Sequence, residues 1–235
     1  MKSIEIIPTN TSPETLPELS RRTEILKTLS SWIQLDLDDD VFVPVSSWPY
    51  ESGQWEELEN LAHGVGLPFA NSTNYEVHLM VQDPIQIGEL LIRAGAKRIL
   101  GHIEALGNHG NVHKAFAAWK GVGASEVGLA VLMETPIRDV IPLAPQCDVI
   151  QLMSIATLGR QGAPYEPAVI ERIRELHVQF PELAIAVDGG VSETNIAELV
   201  RAGATRFGVG SAITKSTDPK AAYERLKQKA ESSLQ

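Results

Sequence analysis

Short apolar runs alternate along the chain with amphipathic stretches. The runs at 126–132 (EVGLAVL) and 148–155 (DVIQLMSI) are almost continuously apolar, as strands buried on both faces are. Eight such runs are predicted to be strands: 4–9, 32–37, 75–81, 97–104, 126–132, 148–155, 184–190 and 206–213. The intervening stretches, such as 166–180 and 193–203, are predicted to be helices. The pattern is therefore one of alternating strands and helices.

The residues at helix ends agree with this pattern. Gly203 closes the stretch at 193–203 as a typical helix C-terminal residue. Asp83 followed by Pro84 matches a helix N-cap followed by proline at the first helical position. Eight such strand–helix units predict a single closed parallel (β/α)8 barrel, the TIM barrel, as one α/β domain over residues 1–235. An open doubly wound sheet is the alternative, but it normally has a glycine-rich turn after its first strand, and IIPTNTSPET has none.

Charge and composition exclude several classes of partner. The formal net charge is −10 and there is no basic cluster, so we expect neither nucleic acid nor an anionic membrane as a partner. No apolar run approaches the length of a membrane-spanning helix, and the first residues lack the pattern of a signal peptide. The single cysteine, Cys147, excludes an internal disulfide and fits a reducing cytoplasm. We therefore expect a cytoplasmic protein.

Polar side chains gather at the predicted carboxyl ends of the strands, which is where barrels of this class hold their active sites. Gln34, Asp36 and Asp38 share one face of the second strand. His78 lies on the third strand and Asp188 on the seventh. Taken singly, a strand histidine is more often a core residue and an acidic turn is more often solvated. Together these side chains form a mixed nitrogen and oxygen set that could bind a divalent cation.

Two glycine turns follow the last two predicted strands. Gly189 and Gly190 end one of them, and Gly210 and Ser211 end the other. Such turns let a ligand approach the backbone, and their N–H groups can hold phosphate. A glycine turn alone has an equally good structural explanation, but two in this order match the phosphate site of many barrels. We expect Arg160 to assist from the preceding loop.

Several motifs together resemble the ribulose-phosphate 3-epimerase family over nearly the whole chain. They are LDLDDDVFVP, EVHLMVQDP, GHIEA, GLAVLMETP, VDGGVSETNIAELVRAGA and VGSAI. The resemblance implies a barrel of the ribulose-phosphate-binding type that epimerises a ketopentose 5-phosphate at carbon 3. It also implies a divalent metal ion (zinc, manganese, iron or magnesium), which the family holds with two histidines and two aspartates.

Carried over to this sequence, the resemblance makes Asp36, His78 and Asp188 metal ligands, with Gln34 at the position of the second histidine. It makes Asp36 and Asp188 the acid–base pair. The substrate and phosphate positions that it implies are Thr9, Met80, Met153, Gly162, Gly189, Gly190, Gly210 and Ser211. The implied partner is a small phosphorylated sugar, and we expect the protein to be a homo-oligomer.

The departures from the family pattern fall on the site. Gln34 replaces a histidine, Asp38 a methionine and Asp40 a glycine, and the loop LGRQGAP at 158–164 differs from the family's loop. We expect a weakened metal site, richer in oxygen, that favours manganese or magnesium over zinc. The alternatives are an inactive sugar-phosphate-binding homologue and an aldolase or decarboxylase on the same barrel. An aldolase of this kind requires a lysine at the strand ends, and this sequence has none there.

Overall fold

The computed structural model describes residues 3–159 and 162–234, which form one closed parallel barrel. The strands are β1 (Glu5–Thr11), β2 (Trp32–Asp38), β3 (Asn74–Met80), β4 (Arg98–His102), β5 (Glu126–Val131), β6 (Val149–Met153), β7 (Ala184–Asp188) and β8 (Arg206–Val209). Neighbouring strands in sequence pair in parallel, and β8 pairs with β1 to close the sheet. All eight predicted strands are present. The predicted barrel is confirmed, and the open doubly wound sheet is wrong.

Helices cover the outside of the barrel. They are α1 (Leu16–Leu26), α2 (Gln54–His63), α3 (Pro84–Arg93), α4 (Ile103–Leu106), α5 (His109–Gly121), α6 (Ile137–Val140), α7 (Val169–Gln179), α8 (Ile196–Ala202), α9 (Ser211–Thr214) and α10 (Pro219–Glu231). Pro84 begins α3 as predicted, although the Asp83 side chain makes no capping hydrogen bond. Within the described residues, no helix has both the length and the apolar character needed to cross a membrane.

Six of the strands, β3 to β8, end earlier than the sequence pattern predicts, and two of them lead directly into a short helix. The predicted strand 97–104 stops at His102, because the chain turns into α4 at Ile103. The predicted strand 206–213 stops at Val209, and α9 begins two residues later. In both places the apolar run continues through the turn, so hydrophobicity alone does not mark the end of the strand.

The main core lies between the barrel and its helices. Leu35 and Leu37 of β2 point outward into this core, which places the polar residues of β2 on the inner face. Trp119 of α5 fills the space left by two glycines. A Cβ atom on Gly88 of α3 would lie 2.2 Å from Trp119 Nε1, and one on Gly101 of β4 would lie 2.8 Å from its Cη2. The helix α5 therefore packs against the barrel through a side chain that needs both glycines.

An ion-pair cluster fills the barrel at the amino ends of its strands. Arg206 Nη1 donates to Glu76 Oε2 at 2.9 Å, and Arg98 Nη1 donates to Glu5 Oε2 at 2.6 Å. Both arginines also contact Glu126. Further up the same inner face is a small apolar cluster of Leu100, Val149 and Ala186. The polar floor of the candidate site lies beyond it, at the carboxyl ends of the strands.

Candidate active site

Three strands bring two carboxylates and one imidazole together at the carboxyl end of the barrel. Asp36 of β2 is the register partner of His78 of β3, and Asp188 comes from β7. His78 Nδ1 lies 3.5 Å from Asp36 Oδ1 and 3.3 Å from Asp188 Oδ2. One possible ligand atom from each of the three residues lies within 4.8 Å of the other two. This group could hold a divalent cation.

Gln34 lies beside the same two carboxylates. Its Nε2 donates to Asp36 Oδ1 at 2.8 Å and to Asp188 Oδ2 at 2.7 Å. Its Oε1 is buried and has no hydrogen-bond partner among the described residues. A Cβ atom on Gly208 would lie 2.9 Å from that oxygen, so the glycine gives the amide its space. The amide of Gln34 thus links the two acids.

A cavity opens above this floor, and the predicted substrate-binding residues line it together. Its lining includes Thr9, Asp36, Met80, Met153, Gly162, Asp188, Gly189, Gly190, Gly210 and Ser211. His78 and Gln34 are buried beneath it. Arg160, predicted to assist with phosphate, lies outside the described residues. The structure therefore brings the other predicted positions into one place.

The turn after β7 is shaped by glycine and braced by side chains. Gly189 and Gly190 have φ angles of 103° and 64°, which L side chains rarely adopt. A Cβ atom on Gly189 would lie 2.7 Å from the Ile155 side chain. The Ser154 hydroxyl donates to the Gly189 carbonyl, and Asn195 Nδ2 donates to the Gly190 carbonyl at 3.0 Å. The turn is thus held in a conformation that leaves its backbone open to the cavity.

Comparison with known proteins matches the sequence of this chain to one family. The pattern of the Ribulose-phosphate 3 epimerase family covers residues 17–214. The chain belongs to this family. It is 32% identical over 199 residues to "Ribulose-phosphate 3-epimerase" of Aquifex aeolicus (strain VF5), covering 83% of this chain and 82% of that protein. It is 28% identical over 212 residues to the rice "Ribulose-phosphate 3-epimerase, cytoplasmic isoform" (Oryza sativa subsp. japonica), covering 87% and 84%. The predicted family is confirmed.

Solved structures with the same fold include enzymes of other activities. The structure resembles KGPDC from Streptococcus mutans with a TM-score of 0.70 at 11% identity, covering 100% of both chains. It resembles 3-hexulose-6-phosphate synthase from Salmonella typhimurium with a TM-score of 0.66 at 17% identity, covering 99% of this chain and 100% of the other. At such low identity these similarities establish the fold alone. The epimerase family assignment rests on the sequence.

Electrostatics distinguish the groups on the floor of the epimerase-family site. Burial raises the pKa of Asp36, and the charge of Asp188 raises it further, against hydrogen bonds from His78 and Gln34 that lower it. Burial lowers the pKa of His78, but its contacts with Asp188 and Asp36 outweigh that effect and raise it to about 10. The imidazole therefore faces two acids that raise its pKa, and burial is the main cause of the raised pKa of Asp36.

Asp38 is fully buried on the same face of β2 as Asp36, two residues further along the strand. Neither of its carboxylate oxygens has a hydrogen-bond partner among the described residues, although the Ser12 hydroxyl is close enough to lower its pKa. Burial outweighs that effect and raises the pKa of Asp38 to about 7. Asp38 does not belong to the group of possible metal ligands found in the described part of the chain. Asp38 is thus a buried acid that destabilises the folded state when it is ionised.

The two following aspartates serve the loop after β2. Asp39 Oδ1 accepts from the backbone N–H groups of Val41 and Phe42, and its Oδ2 accepts from that of Gln82 at 2.7 Å. Asp40 is exposed, with a φ of 61°. The acidic run at 36–40 therefore contains a site residue, a buried acid, a loop brace and a solvated side chain.

Strand β1 turns one of its polar residues away from the barrel mouth. Asn10 Nδ2 donates to Leu19 O at 3.0 Å and to the Thr23 hydroxyl at 3.2 Å, under α1. Thr11 lines the cavity instead, with its hydroxyl 3.0 Å from that of Thr9. The strand continues to Thr11, so its alternation turns Asn10 outward.

Two further polar residues, His102 and Glu104, lie next to the predicted site residues. His102 ends β4, and its Nε2 lies 2.9 Å from His78 Nε2. Glu104 lies two residues further on, within 3.1 Å of His102 Nδ1. The signal was the spacing of histidine and glutamate at a strand end, but only the barrel register shows that His102 meets His78.

Proposed function

We propose that the protein is a sugar-phosphate epimerase that inverts carbon 3 of a pentulose 5-phosphate. The observation that carries this proposal is the pairing of Asp36 and Asp188, which come from separate strands and accept hydrogen bonds from one amide. Inversion next to a ketone needs one group to remove a proton and a second to return one on the opposite face. Membership in the epimerase family supports the same reaction.

The two acids divide the proton transfers in this mechanism. Asp36 removes the proton from carbon 3, since burial raises its pKa and makes it a stronger base. The substrate then becomes a planar enediolate, and Asp188, which enters the cycle as the carboxylic acid, delivers its proton to the other face. Proton exchange with water then returns both carboxyl groups to their starting forms. Gln34 and His78 hold the two carboxylates in place through contacts of 2.7 to 3.5 Å. In the reverse direction the two acids exchange roles.

A divalent metal ion is the proposed cofactor, and the donor set fits one. Asp36, His78 and Asp188 would hold it, and the unpartnered Oε1 of Gln34 could join them once the amide turns. One nitrogen and three oxygens form a hard donor set, which favours manganese or magnesium over zinc and iron. When bound, such an ion stabilises negative charge on substrate oxygens.

The remaining cavity residues are proposed to bind the rest of the substrate. The phosphate would lie against the backbone N–H groups of Gly189–Gly190 and Gly210–Ser211, which line the cavity. Met80 and Met153 would pack against the carbon chain, and Thr9 and Gly162 would line its edges. Polar backbone groups at one end and apolar side chains at the other suit a short phosphorylated sugar.

Epimerisation of ribulose 5-phosphate in deuterated water tests the proposal directly. With added manganese we expect the product to carry one deuteron at carbon 3, and a parallel assay without added manganese measures how far the reaction depends on the metal. A hexulose 6-phosphate serves as the competing substrate. Binding of either sugar phosphate without isotope exchange would show an inactive homologue, and cleavage of a carbon–carbon bond would show an aldolase or decarboxylase. Either outcome would refute the epimerase proposal.

The assembly and location of the protein are further proposals. A homo-oligomer is supported by Val41, which is 71% exposed in the loop after β2 next to half-buried Phe42. Light scattering of the purified chain measures the subunit count.

A cytoplasmic location is supported by the single cysteine. Fractionation of the source cells tests it.

A further inference from the structure

A continuous line of hydrogen bonds runs from the floor of the site to the edge of the barrel. His78 Nε2 lies 2.9 Å from His102 Nε2, and His102 Nδ1 lies 3.1 Å from Glu104 Oε2. Both imidazoles are fully buried, whereas the Glu104 side chain is 20% exposed. Neither His102 nor Glu104 lines the cavity, so any effect that they have on the reaction passes through His78.

The carboxylate at the outer end of this line is fixed from its other side. Glu104 Oε1 accepts from Leu132 N at 2.9 Å and from the Thr135 hydroxyl. Arg172 of α7 in turn donates to the carbonyls of Leu132 and Thr135 at 2.8 and 2.7 Å. One oxygen of Glu104 is thus occupied by donors, and the other oxygen is directed at His102.

The positions of the hydrogens follow from the chemistry of these groups. An ionised carboxylate only accepts, so His102 must carry its hydrogen on Nδ1. A neutral His102 then offers a lone pair at Nε2, and the hydrogen between the two rings belongs to His78 Nε2. His78 Nδ1 is consequently the atom that faces Asp36 and Asp188, at 3.5 and 3.3 Å.

We propose that His102 and Glu104 are a positioning pair that keeps a hydrogen on His78 Nε2 and so presents Nδ1 to the two aspartates. The hydrogen positions do not depend on the proposed function. Their consequence does rest on it, because His78 would then be ready to bind a divalent cation beside the acid–base pair. Carboxylate partners of metal-binding histidines fix the tautomer and the orientation of the ring in this way. Here the influence passes through a second histidine.

Glu104→Gln is the sharpest variant, because it keeps the shape and reverses one hydrogen bond. The backbone N–H of Leu132 can only donate, so the amide oxygen stays there and the NH2 group turns to His102. His102 Nδ1 then becomes an acceptor, and its hydrogen moves to Nε2, against His78. Thr135→Val is the matched control, since it removes a neighbouring bond to Glu104 and leaves the acceptor for His102 unchanged.

Nitrogen-15 NMR spectra of chelator-treated protein at pH 7 show directly which ring nitrogens of His78 and His102 carry a hydrogen. We expect His102 to be protonated on Nδ1 alone and His78 to carry a hydrogen on Nε2. Glu104→Gln should move the His102 hydrogen to Nε2 and weaken manganese binding, measured by calorimetry, by about tenfold or more. Thr135→Val should keep both properties near those of the native chain.

The native spectrum decides the proposal even if the variant does not fold. A native His102 protonated on Nε2 would overturn it, as would unchanged manganese affinity in a folded Glu104→Gln. An equal loss of affinity in Thr135→Val would show a merely structural effect and would also overturn it. The spectra need no substrate, so failure of the epimerase assay with these tautomers intact would refute the proposed function alone.

Discussion

Gln34 of β2 donates a hydrogen bond of 2.7 Å from Nε2 to Asp188 Oδ2 of β7, across 154 residues of chain. Its oxygen can face a cation only if this bond is given up, so Gln34 is a poorer ligand than an imidazole. We expect the native chain to bind manganese in preference to zinc. Gln34→His should raise zinc affinity by about tenfold or more, equivalent to about 1.4 kcal/mol, in a calorimetric titration.

Gln34→Leu is the control for this titration. It removes the amide without supplying a ligand, so zinc affinity should not rise. Tight zinc binding by the native chain that stays unchanged in Gln34→His would contradict the prediction.

If Asp36 and Asp188 are the acid–base pair, the two residues should be equally important for turnover although they lie on distant strands. Asp36→Asn and Asp188→Asn should each lower kcat by about 100-fold or more, because general acid–base catalysis contributes factors of this size. Solvent deuterium should no longer enter carbon 3. Asp40→Asn makes the same chemical change at an exposed position of the same segment and should leave turnover intact. Near-normal turnover in either of the first two variants would disprove the assignment.

Asp38 predicts a pH-dependent cost to folding. Its pKa in the folded chain, about 7, lies above the ordinary value of 3.8, so the folded state disfavours the charged form. The cost is absent below pH 3.8, grows as pH rises and is complete above about pH 7. Asp38→Asn should therefore raise the free energy of unfolding at both pH values, and by about 2 kcal/mol more at pH 8 than at pH 5.5.

Urea denaturation at the two pH values measures this effect. The exposed Asp40→Asn should change stability little at either pH. A gain for Asp38→Asn that is larger at pH 5.5 than at pH 8 would have the wrong sign and would refute the argument.

The glycine turn after β7 predicts a specific effect on phosphate. Gly189→Ala should weaken inhibition by inorganic phosphate and raise KM, because a Cβ atom would meet Ile155 and force the backbone to move. Gly53→Ala has a comparable φ strain, at 82°, but nothing lies within 4 Å of its Cβ position, outside the site. Gly53→Ala should lose stability through its φ strain alone and keep the native KM. Equal KM changes in the two variants would remove the turn from the phosphate site.

The ion-pair cluster at the other end of the barrel predicts a loss of stability without a loss of chemistry. Arg206→Gln removes donors to Glu76 and Glu126 inside the barrel. Leaving buried charges unpaired should cost about 3 kcal/mol in urea denaturation. Arg174→Gln breaks an exposed pair with Glu171 and should cost less than about 0.5 kcal/mol. A large fall in kcat at 20 °C in folded Arg206→Gln would contradict this separation.

The fold was predictable because its strands are buried on both faces and read as apolar runs. The positions of Asp36, His78 and Asp188 followed from the rule that strand ends meet at one end of a barrel. What the sequence could not give was register and side-chain direction. The direction of the Asn10 side chain depends on where β1 ends. The contact between His78 and His102 depends on how the neighbouring strands pair.

Trp119 has a consequence for how relatives of this protein can diverge. Its indole occupies the space over both Gly88 and Gly101, at distances that admit no methyl group. A side chain at either glycine is accessible only after the tryptophan has been replaced by something smaller. Conversely, once a smaller residue stands at 119, the two glycines lose their constraint. Positions 88, 101 and 119 should therefore covary among homologous sequences, with a small residue at 119 preceding alanine at the other two.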